Sequence, residues 1–268
     1  MSRRRLDIEL VRRGLVRTRA EAQTAVRRGF VVVAGRPAVK PSSLVSTAEA
    51  VELAGPPRRF VSRGGEKLEA ALERFGIDVS GLDCLDVGAS TGGFTDCLLQ
   101  RGAGRVAAVD VGYGQLDWSL RTDARVTVLE RTNVRTLALD ALPFAPQLVV
   151  GDLSFISLRL AVPILARLAD PGAIFVLLVK PQFEAGPADV GRGGVVRDPK
   201  VWRRAIQGVI DACVGAGLVP AAVMPSPLPG PAGNVEFLLA AGSGAMGPTR
   251  GPDLDGAIEE GRGIEVRT

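Results

Sequence analysis

The chain has 268 residues and is 46% apolar, enough for one large or two smaller domains with an ample core. It holds no histidine, which excludes Ser-His-Asp triads, imidazole proton transfer and histidine metal sites in one step. The formal net charge of +4 is unevenly spread: residues 1–59 carry 13 Lys plus Arg against 5 Asp plus Glu, a balance of +8, so the remainder sums to −4.

A basic front end on a near-neutral body points to a polyanion partner, nucleic acid above all, with a merely solvated basic surface as the alternative. Cys84, Cys97 and Cys213 show neither metal-ligand spacing nor a disulfide framework, so no metal and a reducing, cytoplasmic setting are expected. No apolar signal core follows Met1, and the longest clean apolar run, Ala173 to Val179, is too short to span a bilayer, so no membrane partner is expected. Arginine outnumbers lysine 29 to four. Each of Lys40, Lys67, Lys180 and Lys200 therefore raises the question of what arginine cannot do there. Lysine is compact and can release its proton, whereas arginine effectively cannot.

Residues 1–59 read as a small module. Leu6, Ile8, Leu10, Val11 and Leu15 mark a short helix ending near Gly14. Thr18-x-x-Glu21 is a capping-box signature for a second helix stopped by Gly29. Phe30 to Pro37 reads as a strand and turn, and Val51 onward as a returning strand. Arginines cluster on the helices, as RNA-backbone contact requires. Leu6-Asp-x-x-Leu-Val-x-x-Gly-Leu15, Thr18-Arg-x-x-Ala22 and Gly29-Phe-Val-Val-Val-x-Gly35, with Lys40-Pro41 downstream, resemble an S4-type RNA-binding domain. Its candidate RNA contacts are Arg3, Arg5, Arg17, Arg19 and Lys40.

Ala54 to Arg59 reads as a linker stiffened by Pro56 and Pro57. An amphipathic helix follows with Lys67 in its first turn, where a cation opposes the helix dipole. Either function places it there or solvent tolerates it. From Leu82 to Ala240 strands and helices alternate, the signature of a doubly wound sheet. Strands are expected at Leu82–Asp86, Val106–Asp110, Val126–Leu129, Gln147–Asp152 and Ala173–Val179. Two late strands, Leu218–Met224 and Asn234–Ala240, are joined directly and must be antiparallel or need a helix between them. The expected fold class is α/β: a Rossmann-like methyltransferase sheet with an antiparallel last strand, behind a small α+β S4-type domain. Residues 60–241 form the second domain, and 242–268 a loose tail with a short helix around Leu254 to Glu259. Gln182 to Pro199, rich in glycine, reads as a mobile cover.

The first strand breaks into Asp86-x-Gly88-x-x-x-Gly92-Gly93, a strand–turn–helix without dinucleotide glycine spacing. A carboxylate at the strand end suits a cationic, hydroxyl-bearing ligand such as S-adenosylmethionine, with an unliganded structural turn as the alternative. Asp110, about twenty residues on, is placed to grip ribose hydroxyls. Lys67, Asp152, Lys180 and Glu236 fall at element ends, where all four can converge beside this turn.

Asp86-Val-Gly-Ala-Ser-Thr-Gly-Gly-Phe-Thr95, Asp110-Val-Gly-Tyr-Gly-Gln115, Glu130-Arg-Thr-Asn133, Asp152-Leu-Ser-Phe-Ile-Ser157, Val179-Lys-Pro-Gln-Phe-Glu184 and Ser226-Pro-Leu-Pro-Gly-Pro231 resemble the TlyA family. These are ribosomal-RNA 2′-O-ribose methyltransferases with an S4 domain fused to an FtsJ-like domain, some labelled haemolysin A. The resemblance implies S-adenosylmethionine as donor and cytidine ribose as acceptor, in 23S rRNA within ribosomal subunits, with 16S rRNA left open as a second substrate. It implies a Lys67, Asp152, Lys180, Glu236 tetrad, with donor contacts at Asp86, Gly88, Ser90, Gly92, Phe94, Asp110 and Asn133. Lys180 is assigned as base and Lys67 as positioner of the hydroxyl, with the two acids holding the lysines. Arg63, Arg131 and Arg135 are expected to hold phosphates, and Phe155 to stack on the target base. The chain departs from the family at Phe60, where a linker tryptophan is common. A binding-only protein, a membrane-lytic protein and an NAD enzyme are the rival readings. The glycine spacing and the late antiparallel strand disfavour the last of these.

Overall fold

The computed structural model describes residues 3–38, 40–54, 59–242 and 251–265, and it divides into two compact units, residues 1–58 and 59–268.

In the first unit, strand β1 (Arg3–Arg5) runs into helix α1 (Leu6–Arg12), followed by α2 (Arg19–Arg27). Thr18 caps α2 by accepting from the Glu21 amide, while the Glu21 carboxylate accepts from the Arg17 amide rather than from Thr18. Strands β2 (Val31–Val33), β3 (Arg36–Pro37), β4 (Leu44–Ser46) and β5 (Val51–Leu53) follow. β2 lies between β3 and β5, and β1 pairs antiparallel with β4. Leu6, Leu10, Ala22, Val26, Val31 and Val45 make this unit's core. The expected linker residues 55–58 lie outside the described residues.

The second unit opens with α3 (Gly64–Phe75). Five parallel strands then alternate with helices: β6 (Asp83–Val87), α4 (Gly93–Gln100), β7 (Arg105–Val109), α5 (Trp118–Arg121), β8 (Val126–Leu129), β9 (Leu148–Gly151), α6 (Leu158–Leu168) and β10 (Ile174–Val179). A one-turn helix α7 (Pro181–Glu184) and the long helix α8 (Pro199–Gly215) lead to β11 (Val219–Pro225), β12 (Phe237–Gly242) and α9 (Leu254–Glu265). The seven strands are ordered β11-β12-β10-β9-β6-β7-β8, and β12 is antiparallel to both its neighbours. The last strand in sequence is thus inserted between β10 and β11 rather than added at the edge.

Strand residues alternate between two cores, as a period of two demands. Leu85, Val87, Phe175, Leu177, Phe237 and Leu239 face α6, α8 and α9. Cys84, Val176, Leu178 and Leu238 face α3 and α4. The C-terminal segment is not loose where it is described. Ala257 and Ile258 of α9 are buried, Arg74 bonds Glu260 at 2.7 Å, and Arg203 pairs with Asp255. Its glycines at 256, 261 and 263 obscured an apolar face that is nevertheless there.

Candidate active site

The site forms at the carboxyl edge of the parallel strands. β6 ends at Val87, and the chain turns through Gly88 at φ +83°, where a β-carbon would come within 2.6 Å of the Asp152 carbonyl oxygen. Gly92 takes φ +96°, where a β-carbon would lie 2.3 Å from a methyl of Leu120. Both positions therefore need glycine. Asp86, the acid inside the strand, is fully buried on the α4 side and accepts from the Thr95 hydroxyl at 2.6 Å. Burial pushes its carboxyl up to about 7 against the opposing pull of Thr95, and Asp152 adds to the rise.

Two neighbouring cavities open beside this turn. The first, about 640 Å³, is lined by all four tetrad residues, together with Arg63, Gly88, Ser90, Phe94 and Phe155. Lys67 projects from the fourth position of α3 and bonds the Glu236 carboxylate at 2.5 Å. Both side chains are buried, with exposures of 8% and 1%, so solvent does not explain a lysine in the first turn. Two glycine contacts set α3 in place: Gly65 packs on buried Phe60 and Gly93 on Ser62, and the Val61 amide bonds Asp96. Lys180, which follows β10, pairs with Asp152 at 2.6 Å and donates to Ser154 at 2.8 Å. The tetrad is therefore two ion pairs, each joining a lysine to an acid from a distant part of the chain.

Glu236 precedes β12 by one residue instead of lying inside the strand. Gly230 cradles its carboxylate, since a β-carbon there would meet Oε1 at 2.4 Å. Two residues away, buried Asn234 accepts from the Val196 amide and donates to the Gly194 carbonyl, both at 2.9 Å. The Trp202 indole donates to the Val196 carbonyl. The glycine-rich segment expected as a mobile cover is thus pinned near Val196 and also at Glu184, which accepts from the Ser157 hydroxyl and the Leu158 amide, with Gly193 and Gly194 forming part of the cavity wall.

The second cavity, about 490 Å³, is lined by Gly88, Ser90, Asp110, Gln115 and Asn133 on its polar side and by Val87, Val109, Val134, Leu153 and Ile156 on its apolar side. Asp110 accepts from the Ser90 amide at 2.8 Å and the Gly112 amide at 2.7 Å. A carboxylate has lone pairs for two further donors, so it remains able to hold vicinal hydroxyls. This donor and acceptor set over an apolar wall fits a nucleoside bearing a cationic tail.

Among the described residues four non-glycine positions have positive φ: Ala34, Ser90, Arg131 and Phe155. Three of these are candidate site residues, and strain of this kind concentrates at functional sites. Phe155 is 92% exposed at the rim of the first cavity, with the Phe183 ring 5.2 Å away. The Arg131 guanidinium lies over Tyr113 at 4.3 Å.

Family comparisons agree with this geometry. The FtsJ-like methyltransferase model matches residues 60–243 and the S4 domain model residues 4–51. The 16S/23S rRNA (cytidine-2′-O)-methyltransferase TlyA of Mycobacterium tuberculosis is 53% identical over 241 residues, covering 89% of this chain and 90% of that protein. The chain belongs to the TlyA family of FtsJ-like methyltransferases. Hemolysin A of Brachyspira hyodysenteriae is 37% identical over 235 residues, 87% of this chain and 98% of that protein. A solved Streptococcus thermophilus structure that carries a hemolysin name is 36% identical, with a TM-score of 0.77 over 100% of this chain and 98% of that one. Among the described residues, no helix of this TlyA-family chain is long and apolar enough to cross a membrane.

Lys67, Asp152, Lys180 and Glu236, the four residues expected to form a tetrad, come together in the first cavity. Gly88 and Ser90 line both cavities, Phe94 the first, and Asp110 and Asn133 the second. Asp86 and Gly92 line neither and support the turn from behind. Arg63 stands exposed at the first cavity, and Arg131 and Arg135 are exposed beyond the second. In the first unit, Arg3, Arg17, Arg19 and Lys40 are exposed and Arg5 is half-buried. Sequence reasoning missed Ser154, Gln115, Gln182 and Asn234. Single polar residues in loops carry no periodic signal, and only Ser154, Gln115 and Gln182 lay inside motifs that marked the neighbourhood.

Proposed function

We propose that the chain transfers a methyl group from S-adenosylmethionine to the 2′-oxygen of a cytidine ribose in ribosomal RNA, presented within a ribosomal subunit in the cytoplasm. The 23S RNA is the first substrate to test and 16S RNA the second. One observation carries the reading: both lysine–acid pairs line a single cavity, and Asp152 and Phe155 border the adjoining cavity as well.

The donor supplies a methyl group already activated on its sulfonium. Gly88, Ser90, Asp110, Gln115 and Asn133 would hold the nucleoside of that donor. Lys180 receives the proton of the 2′-hydroxyl as the O–CH₃ bond forms and the S–CH₃ bond breaks, leaving S-adenosylhomocysteine. Asp152 fixes the Lys180 nitrogen at 2.6 Å. Lys67, held by Glu236, donates to the ribose oxygen and sets its direction. Aligning acceptor oxygen with an activated methyl group supplies much of the rate in such transfers.

Phe155 offers a free ring face on which the target base stacks, and Arg63, Arg131 and Arg135 meet phosphates. In this reading residues 1–59 are the RNA-binding domain and 60–241 the methyltransferase domain, with α9 part of the latter's packing. The test incubates purified protein with labelled S-adenosylmethionine and isolated ribosomal subunits. Label in rRNA is expected; saturable donor binding by calorimetry without any transfer would leave only a binding protein.

A further inference from the structure

Ser154 has no role in the account so far, yet it occupies the seam of the site. It is one of five residues that line both cavities, with Gly88, Ser90, Asp152 and Phe155. Its hydroxyl accepts a hydrogen bond from Lys180 Nζ at 2.8 Å, beside the ion pair of the same nitrogen with Asp152 at 2.6 Å. The next residue, Phe155, takes φ +63°, so the chain leaves this point in a conformation that non-glycine residues rarely adopt.

The consequence follows from the valence of nitrogen. An ammonium group has three N–H bonds. Once Lys180 acts as a base, its nitrogen carries two N–H bonds and one lone pair at those three positions. Asp152, an ion-pair partner whose Oδ1 accepts no hydrogen bond, repels the lone pair from its own side by charge but leaves it either of the two remaining positions, and only one of them suits a given hydroxyl. Ser154 presents an acceptor at one of the two, which keeps an N–H there and leaves the lone pair the third. The Ser154 hydroxyl also keeps its own proton to donate, so it does not compete for the proton that moves.

We infer that Ser154 is a positioning residue that works with Asp152 to aim the Lys180 lone pair at the ribose hydroxyl. This rests on the methyl-transfer reading above. It assigns no chemistry to Ser154 itself, which forms no covalent bond and transfers no proton in the step.

The experiment compares wild-type protein with Ser154→Ala, Ser154→Thr, Lys180→Ala and the Ser154→Ala/Lys180→Ala double variant. Methyl transfer to ribosomal subunits gives kcat and KM, and calorimetry gives donor affinity. Loss of one hydrogen bond to a charged group should lower kcat about tenfold in Ser154→Ala. Donor Kd and RNA KM should stay at wild-type values. Ser154→Thr, which keeps the hydroxyl, should recover most of the lost rate. In the Lys180→Ala background, removing Ser154 should change nothing further, because the group it aims is gone.

A Ser154→Ala variant with wild-type kcat overturns the inference while leaving the methyl-transfer reading intact. So does a loss that Thr does not restore, or one that persists undiminished in the absence of Lys180. Failure of the wild-type protein to transfer a methyl group overturns the reading and this inference together.

Discussion

Both units bury carboxylates against cations, but the arginine pairs of the N-terminal unit and the lysine pairs of the cavity leave the cation in different places. In the N-terminal unit Asp7 and Glu9 are wholly buried, while their partners Arg5, Arg19 and Arg12 remain 40%, 54% and 45% exposed and a fourth, Arg13, 20%. Arg5 bonds Asp7 through Nε and Nη2 at 3.0 and 2.9 Å, and Arg19 adds a third bond through Nε. In the cavity of the methyltransferase unit the cations are lysines, buried at exposures of 8% and 10% beside Glu236 at 1% and Asp152 at 27%, whereas the unit's Arg159, 52% exposed over Glu184 at 2%, keeps the arginine pattern. Arginine has five N–H donors, so it can be anchored from below and still present a face to phosphate. Lysine is a compact charge that a cavity wall can aim. In the proposed reading, a chain with 29 arginines and four lysines uses arginine for a cationic surface and two of its lysines at the reacting centre.

The sharpest way to break this contrast is at Lys180. Lys180→Ala should lower kcat by about 100-fold or more, the scale of a lost general base, with donor and RNA affinity retained. Turnover near wild type would remove Lys180 from the chemistry.

Lys67 comes next. Lys67→Met leaves the Glu236 carboxylate, 1% exposed, without its cation, and about 3 kcal/mol or more of stability should be lost in denaturant melts. Adding Glu236→Leu should recover stability but not activity. A single variant that melts like wild type would show that the pair is not buried as described.

Asp86 tests a buried acid with no cation at all. An acid whose folded value is raised binds its proton more tightly folded than unfolded, so stability falls as pH rises from about 4 towards 7. Asp86→Asn should therefore gain about 2 kcal/mol on wild type between pH 5 and pH 8. A pH-independent difference would contradict the assignment.

Asp7 is expected to give the smallest effect and the opposite sign. Its hydrogen bonds from Arg5 hold its carboxyl well below the usual range, against the upward push of burial, with Arg19 and Gln23 adding to the fall. That contribution is complete above the ordinary carboxylate value and lost as pH drops below about 4. Hydrogen exchange across residues 6–27 of the full chain should speed up in that range for wild type, and less so for Asp7→Asn. The same variant should also weaken RNA binding modestly, because Arg5 and Arg19 lose their shared anchor.

Much of this was legible in the sequence because buried parallel strands read as short apolar runs, and three of them ended in or at acids: Asp86, Asp110 and Asp152. The glycine turn was visible for the same reason that it works, since its backbone leaves no room for side chains. Strand order was not legible. Nothing in the apolar run of β12 says that it inserts between β10 and β11, a choice made by packing in three dimensions. β1 was hidden because Arg-Arg-Arg has no strand pattern and pairs only because β4 comes to it. The pinning of the glycine-rich segment by Asn234 was likewise invisible, because its bonds to Gly194 and Val196 span 40 and 38 residues. The tetrad sat between these extremes. Its members were conspicuous by type and place, but their pairing as Lys67 with Glu236 and Lys180 with Asp152 emerged only in the fold.

The most direct measurement locates the methyl group. Ribosomal subunits are treated with the protein and S-adenosylmethionine, and the RNA is cleaved with alkali, which spares the linkage after a 2′-O-methylated ribose. The account predicts a protected linkage at a cytidine, absent when Lys180→Ala replaces wild type. Methyl groups found on a base, or protection that survives Lys180→Ala, would contradict it.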